Sequence, residues 1–397
     1  MKLTPTTLGD RIEALDMLRG VALLGIFIAN MLLFLSPYLY MDPYTWFKDG
    51  DATIFKRIDI FVEASFYPIF AILFGYGLNM QYEKTIANKL QFAPVMARRM
   101  GILLVFGLLH ALFIWMGDIL FTYALMGFAM IAFVRIPKKW LLPLATIMYV
   151  IPSGIIYAGV YYLNKLRPDA MMEGYADIHQ IERSIEAYAY GSYGEIFSFR
   201  FFEWLTYGLT GSLLAVFVVL PLIMIGAGLS KWKVIERAAE LKVGIAIVTV
   251  LALIAGIWMK AAPHSGDPSS DAILLQTQFG GPVLAVGYMG LLLLLYQLPF
   301  ARMLFRPFSK VGRMSLTTYI TQSIVGTLIF YAYGFGMYGK VDLATGVGIA
   351  VGVFAIQVIF AEFWLSKFRM GPIEWLWRKG TYGKNLSDKE GKSRRLS

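Results

Sequence analysis

The sequence predicts an all-α, polytopic transmembrane bundle of about ten spans, with both termini on the cytoplasmic side. Three observations predict it. The 397 residues are 58% hydrophobic and only 16% charged, with a mean hydropathy of +0.61, whereas soluble domains run nearer 45–50% apolar and about 25% charged. The apolar excess falls in continuous blocks of membrane-crossing length, longer than the alternating strands of about 10 residues that build barrels. The Lys/Arg distribution is asymmetric about those blocks: 26 of the 36 fall on inner segments and 9 on outer ones when the N-terminus is placed inside. This obeys the positive-inside rule. The same asymmetry accounts for the net charge of +10 without nucleic-acid binding.

The spans are expected at Ala14–Ser36, Ile60–Met80, Met100–Met116, Ile119–Val134, Trp140–Leu163, Trp204–Leu229, Leu241–Ala261, Phe279–Pro299, Met314–Tyr333 and Ala344–Leu365. The first block is long and lacks a small-residue cleavage pattern, so it reads as an uncleaved span. Residues 100–134 would be about 52 Å as one helix, far more than a bilayer core of roughly 30 Å. Gly117-Asp118 is the break that makes them a hairpin. The largest outer loop, 164–203, carries helical apolar spacing over Asp177–Tyr190. The chain divides into one membrane domain over 1–380 and a basic tail over 381–397 with the composition of disorder. Before the tail, Trp375 and Trp377 beside basic groups form an interfacial anchor. No cysteine is present, which removes disulfides and thiol nucleophiles. Walker A, dinucleotide and His-Glu-x-x-His patterns are also absent, and no metal is expected.

Ionisable groups inside spans are costly and mark function or an internal pair. Asp16 and Arg19 lie three residues apart in the first span and share a helix face. The topology gathers Asn30, Asp59, Glu63, His110 and Asp118 near the outer side, where spans one to three can bring them to one depth. His110 is the only histidine within a span. An imidazole oriented by a carboxylate is suited to proton transfer; the competing reading is a neutral interhelical hydrogen bond. Near the inner side, Arg19, Arg98, Arg99 and Arg313 cluster, and an arginine fork suits phosphate or carboxylate. Ser315, Thr318 and Gln322 add a polar stripe toward the midplane of the ninth span.

These motifs resemble a known family. Leu15-Asp-Met-Leu-Arg-Gly, Phe70-Ala-Ile-Leu-Phe-Gly-Tyr-Gly, Phe106-Gly-Leu-Leu-His-Ala with Trp115-Met-Gly-Asp, Gly312-Arg-Met-Ser-Leu-Thr-Thr-Tyr and Phe368-Arg-Met-Gly-Pro-Ile-Glu-Trp resemble the YeiB-like bacterial membrane proteins, a family of unknown function. The first two spans are also similar to the heparan-α-glucosaminide N-acetyltransferase group of transmembrane acyltransferases. There an Asp…Arg-Gly opening leads to an Asn, here Asn30, and to an Asp before span two, here Asp59. Their catalytic His lies in the loop after span one, and residues 31–58 here contain none, leaving His110 as the substitute. The resemblance implies acyl transfer from a cytosolic acyl-CoA-type donor to an extracytoplasmic acceptor, in a bacterial cytoplasmic membrane. His110, Asp59, Asn30, Glu63 and Asp118 would then be catalytic, and Arg19, Asp16, Arg313 and Gln322 would hold the donor. The expected partners are the bilayer and a small-molecule, glycan or lipid acceptor, with a homodimer left open. A transporter using the same buried groups as its pathway, and a non-catalytic scaffold or sensor, are the rival readings.

Overall fold

A computed structural model describes residues 12–166, 176–266 and 268–383. Among them every regular element is helical. Helix α1 (Glu13–Leu35) is the first span and stops where Ser36-Pro37 leaves the helical region. The short α2 (Pro43–Trp46) follows, its start capped by the Asp42 carboxylate on Tyr44 N–H. Helices α3 (Asp49–Phe61) and α4 (Phe66–Ala87) together make a 39-residue helical segment that contains an apolar stretch of membrane-crossing length, broken over 62–65 where Ala64 takes φ +55°. A non-glycine residue in that region is strained.

Helices α5 (Phe92–Phe113) and α6 (Leu120–Phe133) form the expected hairpin around Gly117-Asp118. The crossing depends on Gly107, since a Cβ there would lie 2.3 Å from Phe121 N. Then come α7 (Lys138–Leu166) and the amphipathic α8 (Ile178–Ile185), which a π-turn extends to Tyr190, covering the segment whose spacing predicted it. Helix α9 (Tyr193–Glu203) opens on a capping box of Ser192 and Glu195 and runs through a π-turn into α10 (Leu209–Leu214). Helix α11 (Val219–Lys231) is bent from these by 42°, so the sixth expected span is broken.

The remaining helices are α12 (Lys242–Lys260), α13 (Ser270–Leu274), α14 (Gly281–Leu295), α15 (Pro299–Arg313), α16 (Ser315–Phe330), α17 (Leu343–Lys367) and α18 (Pro372–Tyr382). All ten expected segments coincide with helices. By length and composition, seven of the described elements can cross a membrane alone, or eight counting the bent one. Helices α6 and α16, of 14 and 16 residues, are about 21 and 24 Å long and shorter than a bilayer core. Of the tail expected to be disordered, residues 381–382 belong to α18 and 384–397 lie outside the described residues, as does part of the loop 164–203.

Two backbone-to-backbone crossings set the interior. A Cβ on Gly20 of α1 would sit 2.0 Å from the Phe308 carbonyl oxygen of α15, and one on Gly312 would sit 1.8 Å from the Asp16 carbonyl oxygen. Gly75 of α4 and Gly226 of α11 meet the Ile223 and Ile72 carbonyls in the same way, each at 1.8 Å. Without a hydrophobic force between helices in lipid, such close approach is how they associate. The first crossing places Asp16, Arg19 and Arg313 around one opening.

Candidate functional site

His110 stands on the last turn of α5, three residues beyond the Gly107 crossing. That crossing brings the start of α6 against it. His110 Nδ1 lies 2.8 Å from Asp118 Oδ1, and both side chains are 1% exposed. The other carboxylate oxygen, Asp118 Oδ2, accepts from Phe121 N–H at 2.6 Å, a charge-assisted bond at a helix start. With Asp118 ionised, the pair is closed by His110 Nδ1–H donating to Oδ1. The lone pair is then on Nε2, which is buried and has no hydrogen-bond partner. Buried polar atoms are nearly always satisfied, so an orphan nitrogen needs an explanation. Tyr319 of α16 packs against the ring, with centroids 5.2 Å apart. Its hydroxyl donates to Gly117 O at 3.0 Å and accepts from Ile119 N at 3.2 Å, fixing the turn that carries Asp118.

A cavity of about 210 Å³ opens at the end of the bundle where α1 begins. Arg19, Arg99, Arg313 and Arg378 border it, and Phe70, Phe74, Tyr123 and Tyr319 line it farther in. Arg19 Nη1 donates to Asp16 Oδ1 at 3.2 Å and Nη2 to Leu73 O at 3.3 Å, so the expected Asp16–Arg19 pair is present. The Arg99 guanidinium lies 3.7 Å above the Trp377 ring of α18. Glu374, also at the cavity, accepts from Leu316 N–H, Thr317 N–H and Thr317 Oγ1, closing the start of α16. At the opposite end of the bundle a recess of about 10 Å³ is lined by Leu33, Trp115, Met116, Tyr188, Glu203 and Tyr331. The turn 114–119 therefore has the large cavity on one side, at Ile119, and the recess on the other, at Trp115 and Met116.

The five residues expected to converge divide into two groups. Asp59 is buried in α3 and pairs with another histidine: His264 Nε2 lies 2.7 Å from Asp59 Oδ2. Tyr44 Oη donates to the same oxygen at 3.2 Å, and Gln276 Nε2 to the Asp59 carbonyl at 3.3 Å. Glu63 sits in the break between α3 and α4, where its carbonyl accepts from the fully buried Lys260 at 2.8 Å. Asn30 is half-buried and makes no side-chain hydrogen bond among the described residues. It lies one turn before Phe34, whose ring stacks on Trp115 at 4.2 Å. Gln322 does not line the cavity; it is buried on the seam with α17, donating to Gln357 Oε1 at 3.1 Å. Its hydrogen bond is spent between helices, which explains its place in the polar stripe.

The family described as "Protein of unknown function (DUF418)" matches residues 229–384. The uncharacterised protein YxaH of Bacillus subtilis (strain 168) is 32% identical, covering 96% of this chain and 96% of its own length. The chain belongs to the YeiB-like family. Similar relatives include YeiB of Escherichia coli (strain K12), 28% identical over 94% of this chain and 96% of its own. An uncharacterised 39.9 kDa protein from the amylase 3′ region of Bacillus acidopullulyticus is also 28% identical, over 96% and 97%.

In this YeiB-like protein the motif residues gain physical reasons. The Arg-Gly of the first span pairs a cavity arginine with the glycine that admits α15. Phe106-Gly-Leu-Leu-His sets the crossing glycine one turn before the histidine. Sequence reasoning missed Tyr319, Arg378, His264, Lys260 and Gln276. Tyr319 stands at the end of a quoted motif, Gly312-Arg-Met-Ser-Leu-Thr-Thr-Tyr, and was the one with a signal.

Proposed function

We propose that this protein is a membrane-integral acyl-transfer enzyme, taking an acyl group from a cytosolic acyl-CoA-type thioester and passing it to an acceptor from the far side. The observation that carries the reading is His110 Nε2, a buried nitrogen with no partner on a ring whose other nitrogen Asp118 holds. The Lys/Arg bias supports placing the arginine-bordered cavity on the cytoplasmic side. Its four guanidinium groups suit a polyphosphate, and its aromatic interior suits a thioester arm.

In this reading His110 Nε2 takes the proton from an acceptor O–H or N–H while that atom bonds to the thioester carbon. The carbon–sulfur bond breaks, and the thiolate recovers the proton from His110. Asp118 keeps the imidazole oriented and stabilises its charged form, as carboxylate partners do in such pairs. Asn30, with no other hydrogen bond to satisfy, is the donor assigned to the thioester oxygen. The recess at Trp115 and Met116 is the acceptor's approach, so donor and acceptor reach the 114–119 turn from opposite ends.

Purified protein incubated with acetyl-CoA and glycerol or glucosamine tests this directly. Released CoA is read with a thiol reagent, and the cysteine-free chain contributes no background. Protein-dependent release stoichiometric with an acylated product supports the reading. Absence of release, with unchanged solute accumulating in sealed vesicles, overturns it in favour of transport.

A further inference from the structure

The recess at the end of the bundle opposite the arginine-bordered cavity has the reverse electrostatic character. Of the twelve residues lining it, Glu203 is the one that carries a charge and six are aromatic, among them Tyr40, Trp115, Tyr188, Tyr331 and Tyr338. Glu203 is 3% exposed. Tyr40 Oη donates to its Oε1 at 3.0 Å and Tyr188 Oη to its Oε2. A carboxylate has about four lone-pair positions, so two stay open. Among the described residues no basic group closes an ion pair with Glu203, and a buried charge is costly unless paired.

Arg200, one turn earlier on α9 and fully buried, is committed elsewhere. Its Nε and Nη1 donate to Leu112 O at 2.9 Å and Ile114 O at 2.7 Å. Those carbonyls end α5, where a cation answers the helix dipole, so Arg200 acts on Glu203 only at longer range. The backbone around the recess is distorted as well. Tyr188 belongs to the π-turn that extends α8, and Glu203 stands directly before the π-turn that follows α9; such turns are frequent at functional sites. The Tyr188 ring stacks on Tyr331 at 4.2 Å and lies 5.3 Å from Tyr338, between centroids. The enclosed space of about 10 Å³ holds one water-sized group.

We propose that the recess binds a primary ammonium group, held by Glu203 inside a frame of tyrosines. An N–H donor on a cation makes a charge-assisted bond to a carboxylate, and aromatic rings attract cations. An –NH3⁺ head is the size of a water molecule, whereas a trimethylammonium head exceeds the space. That the acyl acceptor itself carries this ammonium rests on the acyl-transfer reading. The nitrogen against Glu203 stays protonated and has no electron pair to give, so the acyl group passes to a hydroxyl or second amine of the same molecule. A soluble amino alcohol or aminosugar and an ethanolamine lipid headgroup share this recognition chemistry.

The test titrates the full chain, in phosphatidylglycerol nanodiscs, with ethanolamine, choline and ethylene glycol by calorimetry and melting. Ethanolamine should bind saturably and raise the melting temperature; choline and ethylene glycol should do neither. Glu203→Gln, which still accepts from a tyrosine, should bind ethanolamine about 10–100-fold more weakly. No response to ethanolamine, equal responses to all three compounds, or undiminished binding in a folded Glu203→Gln overturns the proposal. The series on the wild-type chain decides even where the variant does not fold. In phosphatidylethanolamine discs, loss of the ethanolamine signal assigns the recess to the lipid headgroup, and an unchanged signal assigns it to a soluble amine; both support an ammonium site. CoA release from acetyl-CoA is read on the same protein. Binding without release keeps the recess assignment and overturns the transfer reading, whereas release with glycerol and no ethanolamine binding does the reverse.

Discussion

Among the described residues two imidazole–carboxylate pairs occur, and their difference is instructive. His110–Asp118 and His264–Asp59 are closed by bonds of 2.8 and 2.7 Å. In the first, Asp118 takes Nδ1 and leaves Nε2 buried and unsatisfied behind a cavity wall. In the second, Asp59 takes Nε2, and Tyr44 and Gln276 complete its shell. The same two residue types thus serve different ends because of what surrounds them. One pair has unspent bonding capacity inside the protein; the other ties α2, α3 and the π-turn 275–280 to the turn that follows α12.

Breaking each pair should give opposite signatures. The largest expected effect is from Asp118→Asn, which leaves the ring unoriented and should lower the rate of CoA release by about 10²–10⁴-fold. His264→Gln should leave that rate unchanged. If both variants lose transfer equally, the two pairs act as one site and the distinction fails.

Packing around the first pair supplies the next contrast, between two glycines of α5. A side chain at Gly107 meets the α6 backbone, whereas nothing lies within 4 Å of a Cβ at Gly101. Gly107→Val should lower stability by about 1–3 kcal/mol or more, with transfer lost alongside it. Gly101→Val should melt near wild type. Melting in detergent distinguishes them, and equal tolerance would mean that the crossing does not position His110.

This contrast also explains what the sequence could disclose. His110 and Asp118 are eight residues apart, in a hairpin whose break was written in Gly117-Asp118, so their pairing follows from local geometry. Asp16 and Arg19 share a helix turn and were equally readable. His264 and Asp59 are 205 positions apart, and nothing local connects them. A carboxylate at one inferred depth was assigned to the nearest intramembrane histidine, and the structure supplied another from an outer loop. Apolar length located every helix that crosses or nearly crosses, but it missed α15. That amphipathic helix is too polar for a hydropathy block, and its tight seat on α1 depends on Gly20 and Gly312.

For the second pair, His264→Ala should cost about 1–3 kcal/mol by leaving Asp59 with an unmet bond. His264→Gln, which can still donate, should recover most of that loss. The smallest effect concerns Asp16 and Arg19. Arg19 is 24% exposed, so water screens the pair, and a double-mutant cycle on melting should give a coupling of about 1 kcal/mol or less. The exposed Arg237–Glu240 pair, at 46% and 67%, should give nothing measurable, and a larger coupling there than at Asp16–Arg19 would reverse the assignment of which pair is internal.

The most direct test compares CoA release by wild type, His110→Ala and His110→Gln at matched folding. A general base cannot be replaced by an amide that hydrogen-bonds without taking a proton. Both variants should therefore fall by about 10²–10⁴-fold while retaining binding of acetyl-CoA at the arginine-bordered cavity. A His110→Gln protein with wild-type turnover would show that the buried Nε2 is not a proton acceptor, and would contradict the account.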